Sequence, residues 1–313
     1  DSRATVEQRA QRVYRWVLEN IEDSEDVFGL APAMLAARTG NRTRVLRYLL
    51  DVAGIAAELG LARSYAADSN QSELADDDTY QNLVVRIRGT VGPRWLHAGA
   101  RGAPFGYIPP ALAGMDALML NASAERVRVG ERDEEVDRRT VEVDVDLRRD
   151  GGARVTVVET FRGAGAVLWR NQLEEIPDQN MESQFESAYI ANLLPGGQLT
   201  RLVISGREDP EAPLVLRYDV ELASLARESR TGWVIPPIYR AQLGPQYARV
   251  ATRTVSQLVA AGLALDVEVH VRVPDGTTIA ALPADASLEA ARAARASVAS
   301  SSADGALLLR RSY

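Results

Sequence analysis

The sequence predicts an α+β protein, and three observations carry that expectation. Two stretches, at 5–21 and 42–53, repeat apolar residues at helical spacing behind capping residues. An alternating segment at 141–147 runs into Asp150-Gly151-Gly152 and resumes at Val155, which is a hairpin signal. Period-two alternation then dominates the C-terminal half, so the chain divides into a mixed first part and a strand-rich second part.

The first helix opens on Thr5-Val6-Glu7-Gln8, where Thr5 and Gln8 have the spacing of a capping box. Val6, Ala10, Val13, Tyr14, Val17, Leu18 and Ile21 then fall on one face. The second helix covers about 42–52, with Val45, Leu46, Leu49, Leu50 and Ala53 inward and Gly54 where a left-handed cap residue belongs. A short buried strand is expected over 55–63, a solvated loop over 65–79, and strands over 83–88 and around Trp95-Leu96, turned by 89–93. Asp76-Asp77-Asp78 lacks the loop spacing of an EF-hand, so it is read as solvated.

The segment 124–139 is highly charged with little core signal and is taken as a linker. Beyond the hairpin, Phe185, Tyr189, Ile190 and Leu193 mark a helix ended by Pro195-Gly196-Gly197, and Glu174-Glu175 after Arg170-Asn171 reads as an exposed helix face. Further strands are expected at 199–204, 214–222 and 267–273. In the tail, the Ala/Arg-rich run 288–296 favours helix by propensity, whereas 306–310 reads as strand.

Composition narrows the function. A net charge of -7 and a pI near 5.1 argue against a nucleic-acid or anionic-membrane surface. All 36 basic residues are arginine, which points to a GC-rich bacterial genome. No run of 18 apolar residues predicts a membrane span. The chain has no cysteine, which removes disulfides, thiolate metal sites and every thiol nucleophile together. Its two histidines, His97 and His270, lie far apart, which argues against zinc, and His270 alternates with Glu268 and Arg272 on a polar strand face. No P-loop or dinucleotide fingerprint is present, so no cofactor is expected. A start at Asp1 rather than Met suggests a piece of a longer chain.

Five blocks occur in an order that resembles bacterial transglutaminase-like proteins of the papain-like superfamily: RAQRVYRWVLENI, RVLRYLLDVAGIAAELGLA, TYQNLVVRI, RWLHAGA and FGYIPPALAGMDALML. The resemblance implies a papain-like transglutaminase core at 1–123, the linker at 124–139, and a β-rich, sandwich-like domain with an inserted helix at 140–313. It also implies a bacterial periplasm or envelope setting over cytoplasm.

Active members use a helix-terminal cysteine, a histidine and an orienting aspartate. By this resemblance the cysteine position falls on Thr39, or with a gap on Asn41 or Arg42. The histidine position falls on Asn82 and the aspartate position on His97. All three depart from the pattern. The expectation is therefore a pseudoenzyme that binds a protein or peptide. A structural spacer of a larger envelope protein is the alternative, followed by an acyl-transfer enzyme or peptidase using Thr39. A threonine hydroxyl needs a close base, and the only plausible partner is His97, set behind the ring it would normally support. Otherwise Thr39 is a helix cap and His97 a hydrogen-bonded histidine. Tyr65, Tyr80 and Trp95 are candidates for lining the cleft or filling the core.

Overall fold

The computed structural model describes residues 4–24, 29–67, 79–90, 92–130, 137–230, 232–241, 252, 254, 264–290, 294–303 and 305–313. It is α+β. Two compact units emerge: Asp1–Val136 with Asp209–Glu211 and Gln257–Gly262, and Asp137–Glu208 with Ala212–Ser256 and Leu263–Tyr313.

The first unit opens with helix α1 (Val6–Asn20). Both halves of the capping box form, Gln8 N–H donating to Thr5 Oγ1 at 3.1 Å and Thr5 N–H to Gln8 Oε1 at 3.0 Å. Strand β1 (Glu22–Asp23) pairs in parallel with β2 (Thr39–Gly40). Between them stands α2 (Ala31–Ala37), a helix without a sequence signal beyond the proline in its first turn.

Helix α3 (Arg42–Val52) starts on Asn41, whose side chain accepts the Arg44 N–H at 3.1 Å. It stops at Gly54, where φ is +68° and the backbone N–H returns to Asp51 O at 2.9 Å. Strands β3 (Ala57–Arg63), β4 (Tyr80–Arg88), β5 (Pro93–Leu96), β6 (Asp116–Met119) and β7 (Arg126–Arg128) form an antiparallel sheet in the order β5-β4-β3-β6-β7.

Strand alternation gives this sheet two working faces. One carries Val85, Ile87, Leu96 and then Ala98 into a core with Tyr14, Val17 and Leu18 of α1 and Val45, Leu46 and Leu50 of α3. The other carries Ala62, Val84, Trp95, Ala117 and Met119 into a separate cluster with Ile108, Leu112 and Val129.

The segment 124–139 is therefore more than a linker. Arg126–Arg128 is an edge strand of the first sheet and Val129 is buried, its charge pattern being that of an edge with side chains in water. Residues 131–136 lie outside the described residues, as does 68–78 of the expected loop, with Asp76-Asp77-Asp78.

The second unit contains β8 (Arg138–Leu147) and β9 (Ala153–Phe161), the expected hairpin. Helix α4 (Gly163–Glu174) follows, then α5 (Met181–Phe185), a π-helical turn (Glu186–Ile190) and α6 (Ala191–Leu193). Strands β10 (Gly197–Ser205) and β11 (Leu214–Leu222) come next. Strands β12 (Arg227–Ser229) and β13 (Gly232–Val234) make a small ribbon. The chain ends in β14 (Ala264–Arg272), β15 (Ala286–Ala290), β16 (Ala294–Ala303) and β17 (Ala306–Ser312).

Eight of these strands form one sheet in the order β10-β11-β9-β8-β14-β17-β16-β15, parallel only at β8–β14. Val143, Val145, Val155, Val157, Leu216, Val220, Val267 and Val269 all face one side, and Ala166, Leu173, Phe185 and Ile190 cover it. The opposite face carries Glu142, Asp144 and Asp146, all exposed.

The expected sandwich is thus corrected. The apolar face of the large sheet is closed by the helical layer from 163–194 rather than by a second sheet. The helical propensity of 288–296 is also overridden, because 288–290 belong to β15 and 294–296 to β16. Antiparallel pairing of 288–290 with 294–296, continued by 297–303 against β17, outweighs the weak helical preference of these alanines and arginines. Arg170, read as exposed, is buried in α4 and donates to Gly206 O at 2.9 Å and to Ala212 O at 2.5 Å.

Candidate functional site

Two places deserve comparison as sites: the start of α3 in the first unit and a polar cluster inside the second. At the first, Thr39 lies on β2 paired with Glu22 and is exposed. It is not the helix cap. Asn41 is, because its side-chain oxygen reaches the orphan N–H of Arg44 and Thr39 stands two residues too early.

Arg42, the first residue of the helix, is buried. Its backbone N–H donates to Asp23 Oδ1 at 2.9 Å and its Nε to Ile21 O at 2.6 Å. Burial holds the Asp23 carboxyl above its ordinary range, against the pull of the Arg42 bonds. Thr43 is buried too, and its hydroxyl accepts the Ala98 N–H at 3.1 Å, joining α3 to the chain leaving β5.

Asn82 alternates in phase with Val84, so it belongs to the sheet face opposite α3, and its amide donates to Ala62 O at 3.3 Å. His97 follows β5. Its Nδ1 accepts the Gly99 N–H at 3.3 Å, which puts the ring proton on Nε2, and its carbonyl accepts the Tyr14 hydroxyl at 3.0 Å. Burial pushes the His97 pKa down to about 4, so the ring is neutral at pH 7.

Among the described residues, no hydrogen bond links Thr39, Asn82 and His97. Thr39 has no base, Asn82 points away from the helix, and His97 uses Nδ1 on its own backbone. His97 is held by a local hydrogen bond from Gly99 N–H. Of the aromatic candidates, Trp95 is buried in the second cluster with the Arg86 guanidinium 5.9 Å from its ring centre. Tyr80 is buried as well, while Tyr65 is half-buried, with its N–H bonded to Ala111 O at 2.8 Å. Trp95 and Tyr80 therefore serve the core.

The second unit holds the densest polar cluster. Glu159 of β9 is fully buried. Its Oε1 accepts from Tyr189 at 2.8 Å and Tyr218 at 2.6 Å. Its Oε2 accepts from Tyr239 at 2.5 Å and from Arg139, Nη2 at 2.5 Å and Nε at 3.1 Å. Arg139 also donates to the hydroxyls of Tyr189 and Tyr239, and it lies over the Phe161 ring at 4.7 Å.

Each partner comes from a different element. Tyr189 stands on the π-helical turn, with Trp169 edge-on at 5.1 Å. Tyr239 is held at φ +52°, uncommon for a residue with a side chain. Burial, then the Glu159 charge, raises the pKa of all three phenols well above the ordinary value. They are locked donors.

The network offers neither a nucleophile nor a free base. It ties β8, β9, β11, the π-helical turn and residue 239 to one carboxylate, which is a fixing role. Sequence reading passed over Glu159, although a signal existed: it alternates in phase with Val155, Val157 and Phe161, so a charge stands where the pattern demands an apolar residue.

Among the described residues, no group of three or more histidine or carboxylate side chains is arranged to hold a metal ion. None of the described helices is long and apolar enough to cross a membrane.

No family model matches the chain, and no curated relative does. A solved structure that it resembles, from Parabacteroides distasonis ATCC 8503, is described as a "putative protease"; the identity is 11% and the TM-score 0.46. The likeness covers 99% of this chain and 46% of that one, so the chain spans about half the length of that protein. A likeness at this level defines neither the fold family nor the activity of this chain.

Proposed function

We propose that the chain is a non-catalytic protein- or peptide-binding module, built on a transglutaminase-like, papain-type core whose thiol chemistry is gone. The observation that carries this reading is the start of α3. Where the resembled proteins keep their nucleophile, this chain caps the helix with Asn41 and seals it with buried Arg42.

The missing thiol and the separation of Thr39, Asn82 and His97 support the same reading. A hydroxyl without a base in hydrogen-bond reach is a poor nucleophile. Binding needs only shape and backbone hydrogen bonds, which survive the loss of a triad.

The test pairs two assays on the intact chain. Incorporation of a fluorescent amine into casein, ammonia release from glutamine peptides and peptide cleavage should all stay at background. A peptide array should show saturable binding. Enzymatic turnover that disappears in Thr39→Ala would overturn the non-catalytic reading. A chain without turnover and without any peptide binding would instead be a structural spacer.

A further inference from the structure

We infer that the outer edge of β10, with the groove beside it, docks an extended segment of a partner protein that presents basic and apolar side chains on one face. This rests on the binding reading above and gives it a location.

Strand β10 ends the eight-stranded sheet, paired on one side with β11 alone. From Leu199 to Ser205, no other element among the described residues bonds to its outer edge. An edge of this kind is a template for a further strand, which would satisfy those backbone groups. The irregularity between Leu199 and Arg201 distorts the start of the edge, so the regular stretch is 201–205.

On the helix-covered side, the helical layer and β10 enclose a groove with a cavity volume of about 330 Å³. Met181, Leu202 and Ile204 supply its apolar wall, and Asp178, Gln179 and Glu182 its polar rim. An added strand would turn every other side chain into this groove.

Charge decides the occupant. Asp178 is engaged by Arg207 at 2.9 Å, whereas Glu182 has no ion pair among the described residues, nor has Glu186 one turn further on. Glu182 flanks the apolar wall and Glu186 follows one turn along the same helical layer, so the complementary strand carries Lys or Arg beside an apolar residue on that face. Long basic side chains lay their stems along apolar surface and keep the charge at the rim. A second copy of this chain fits badly. Antiparallel pairing of β10 with β10 brings both helical layers to the same side, and each copy then offers the unpaired Glu182 an acidic rim rather than a basic side chain.

The probe is a fluorescein-labelled peptide, Thr-Lys-Thr-Val-Thr-Lys-Thr, whose Lys, Val and Lys share one face of a strand. Its counterpart has Glu in place of both Lys residues. Fluorescence anisotropy with the intact chain should favour the Lys peptide by at least about tenfold. The double variant Glu182→Lys, Glu186→Lys should reverse that preference, since both residues are exposed or half-exposed and can change without loss of fold. Bound Lys peptide should also slow amide exchange at 201–205.

Equal affinity for the two peptides, no reversal in the variant, or unchanged exchange at 201–205 overturns the proposal. So does a concentration-dependent dimer that protects β10. If array peptides still bind the charge-reversed variant as before, the β10 site falls while the binding reading stands. If nothing binds either protein, both fall.

Discussion

Glu159→Ala is the substitution whose consequence the structure defines most sharply. The lost carboxylate accepts from three phenols and one guanidinium in a fully buried setting. Stranding a buried donor costs about 1–3 kcal/mol, but simple addition overcounts here. Tyr189, Tyr239 and Arg139 can still bond to one another, as their mutual contacts show. Tyr218 cannot, because among the described residues its side-chain hydrogen bond is to Glu159 alone.

Loss of one partner from a buried ion pair costs about 3–5 kcal/mol. We expect Glu159→Ala to lie in that range, a large share of a stability of about 5–15 kcal/mol. Urea unfolding followed by tryptophan fluorescence, with Trp16, Trp95 and Trp233 replaced by Phe so that Trp169 beside Tyr189 reports alone, would measure it. Adding Tyr218→Phe to Glu159→Ala should restore about 1–3 kcal/mol by removing the stranded hydroxyl. The same substitution in the native background should cost about 1 kcal/mol, so the cycle is strongly non-additive. A cost below about 1 kcal/mol for Glu159→Ala, or no recovery in the double variant, would refute the reasoning.

Two further outcomes concern the first unit. His97 has a folded pKa of about 4 against 6.5 for the free group, so between those values the unfolded chain binds a proton that the folded one does not. Stability should therefore be full above pH 6.5 and fall as pH drops to about 4, by on the order of 3 kcal/mol. His97→Gln should flatten that part of the profile, and titration of the ring resonances by NMR, with His270→Gln for assignment, should find the low midpoint; an unchanged profile counts against burial as the cause. Gly40→Ala should destabilise by about 1–3 kcal/mol, because φ is +148° and a Cβ would sit 2.4 Å from Met34 Cγ. Met34→Ala in the same chain removes the Cγ and Sδ contacts but keeps its Cβ 2.6 Å from the new one, so thermal unfolding of both variants should show only partial recovery.

Elements with local, redundant signals were legible from the chain. Helix α1 had its capping box and α3 its apolar stripe with Gly54 behind it. The β8–β9 hairpin had alternation on both sides of a Gly-Gly turn. What failed depended on distant partners. Residues 288–290 and 294–296 are strand because they pair with each other in a ribbon that joins the large sheet through 297–303 and β17, and the cover of that sheet comes from helices whose own pattern is weak. Arg170 reads as solvated until its two carbonyl partners, 36 and 42 residues away, are known. At the candidate site, residue identities were legible but not their directions. A strand turns alternate residues to opposite faces, so an alignment error of a single residue exchanges core for solvent. Asn82 shows this: the core face of β4 that meets α3 belongs to Val85 and Ile87, and Asn82 is out of phase with them.

That phase relation bears on whether the proposed loss of chemistry could be reversed by restoring three residue types. A cysteine at 39 would stand on β2, outside α3 and its dipole. At 41 it would remove the cap that satisfies Arg44 N–H, at a cost of about 1 kcal/mol. At 42 it would delete the guanidinium bond to Ile21 O inside a buried site. A histidine at 82 would still point to the far side of the sheet. An aspartate at 97 would replace a half-buried ring that desolvation keeps neutral, and would carry its charge into the same surroundings. The three positions make no joint site because Thr39 stands exposed on β2, Asn41 and Arg42 hold the start of α3, and Asn82 turns to the far face of the sheet, so binding should be sought at the surface instead.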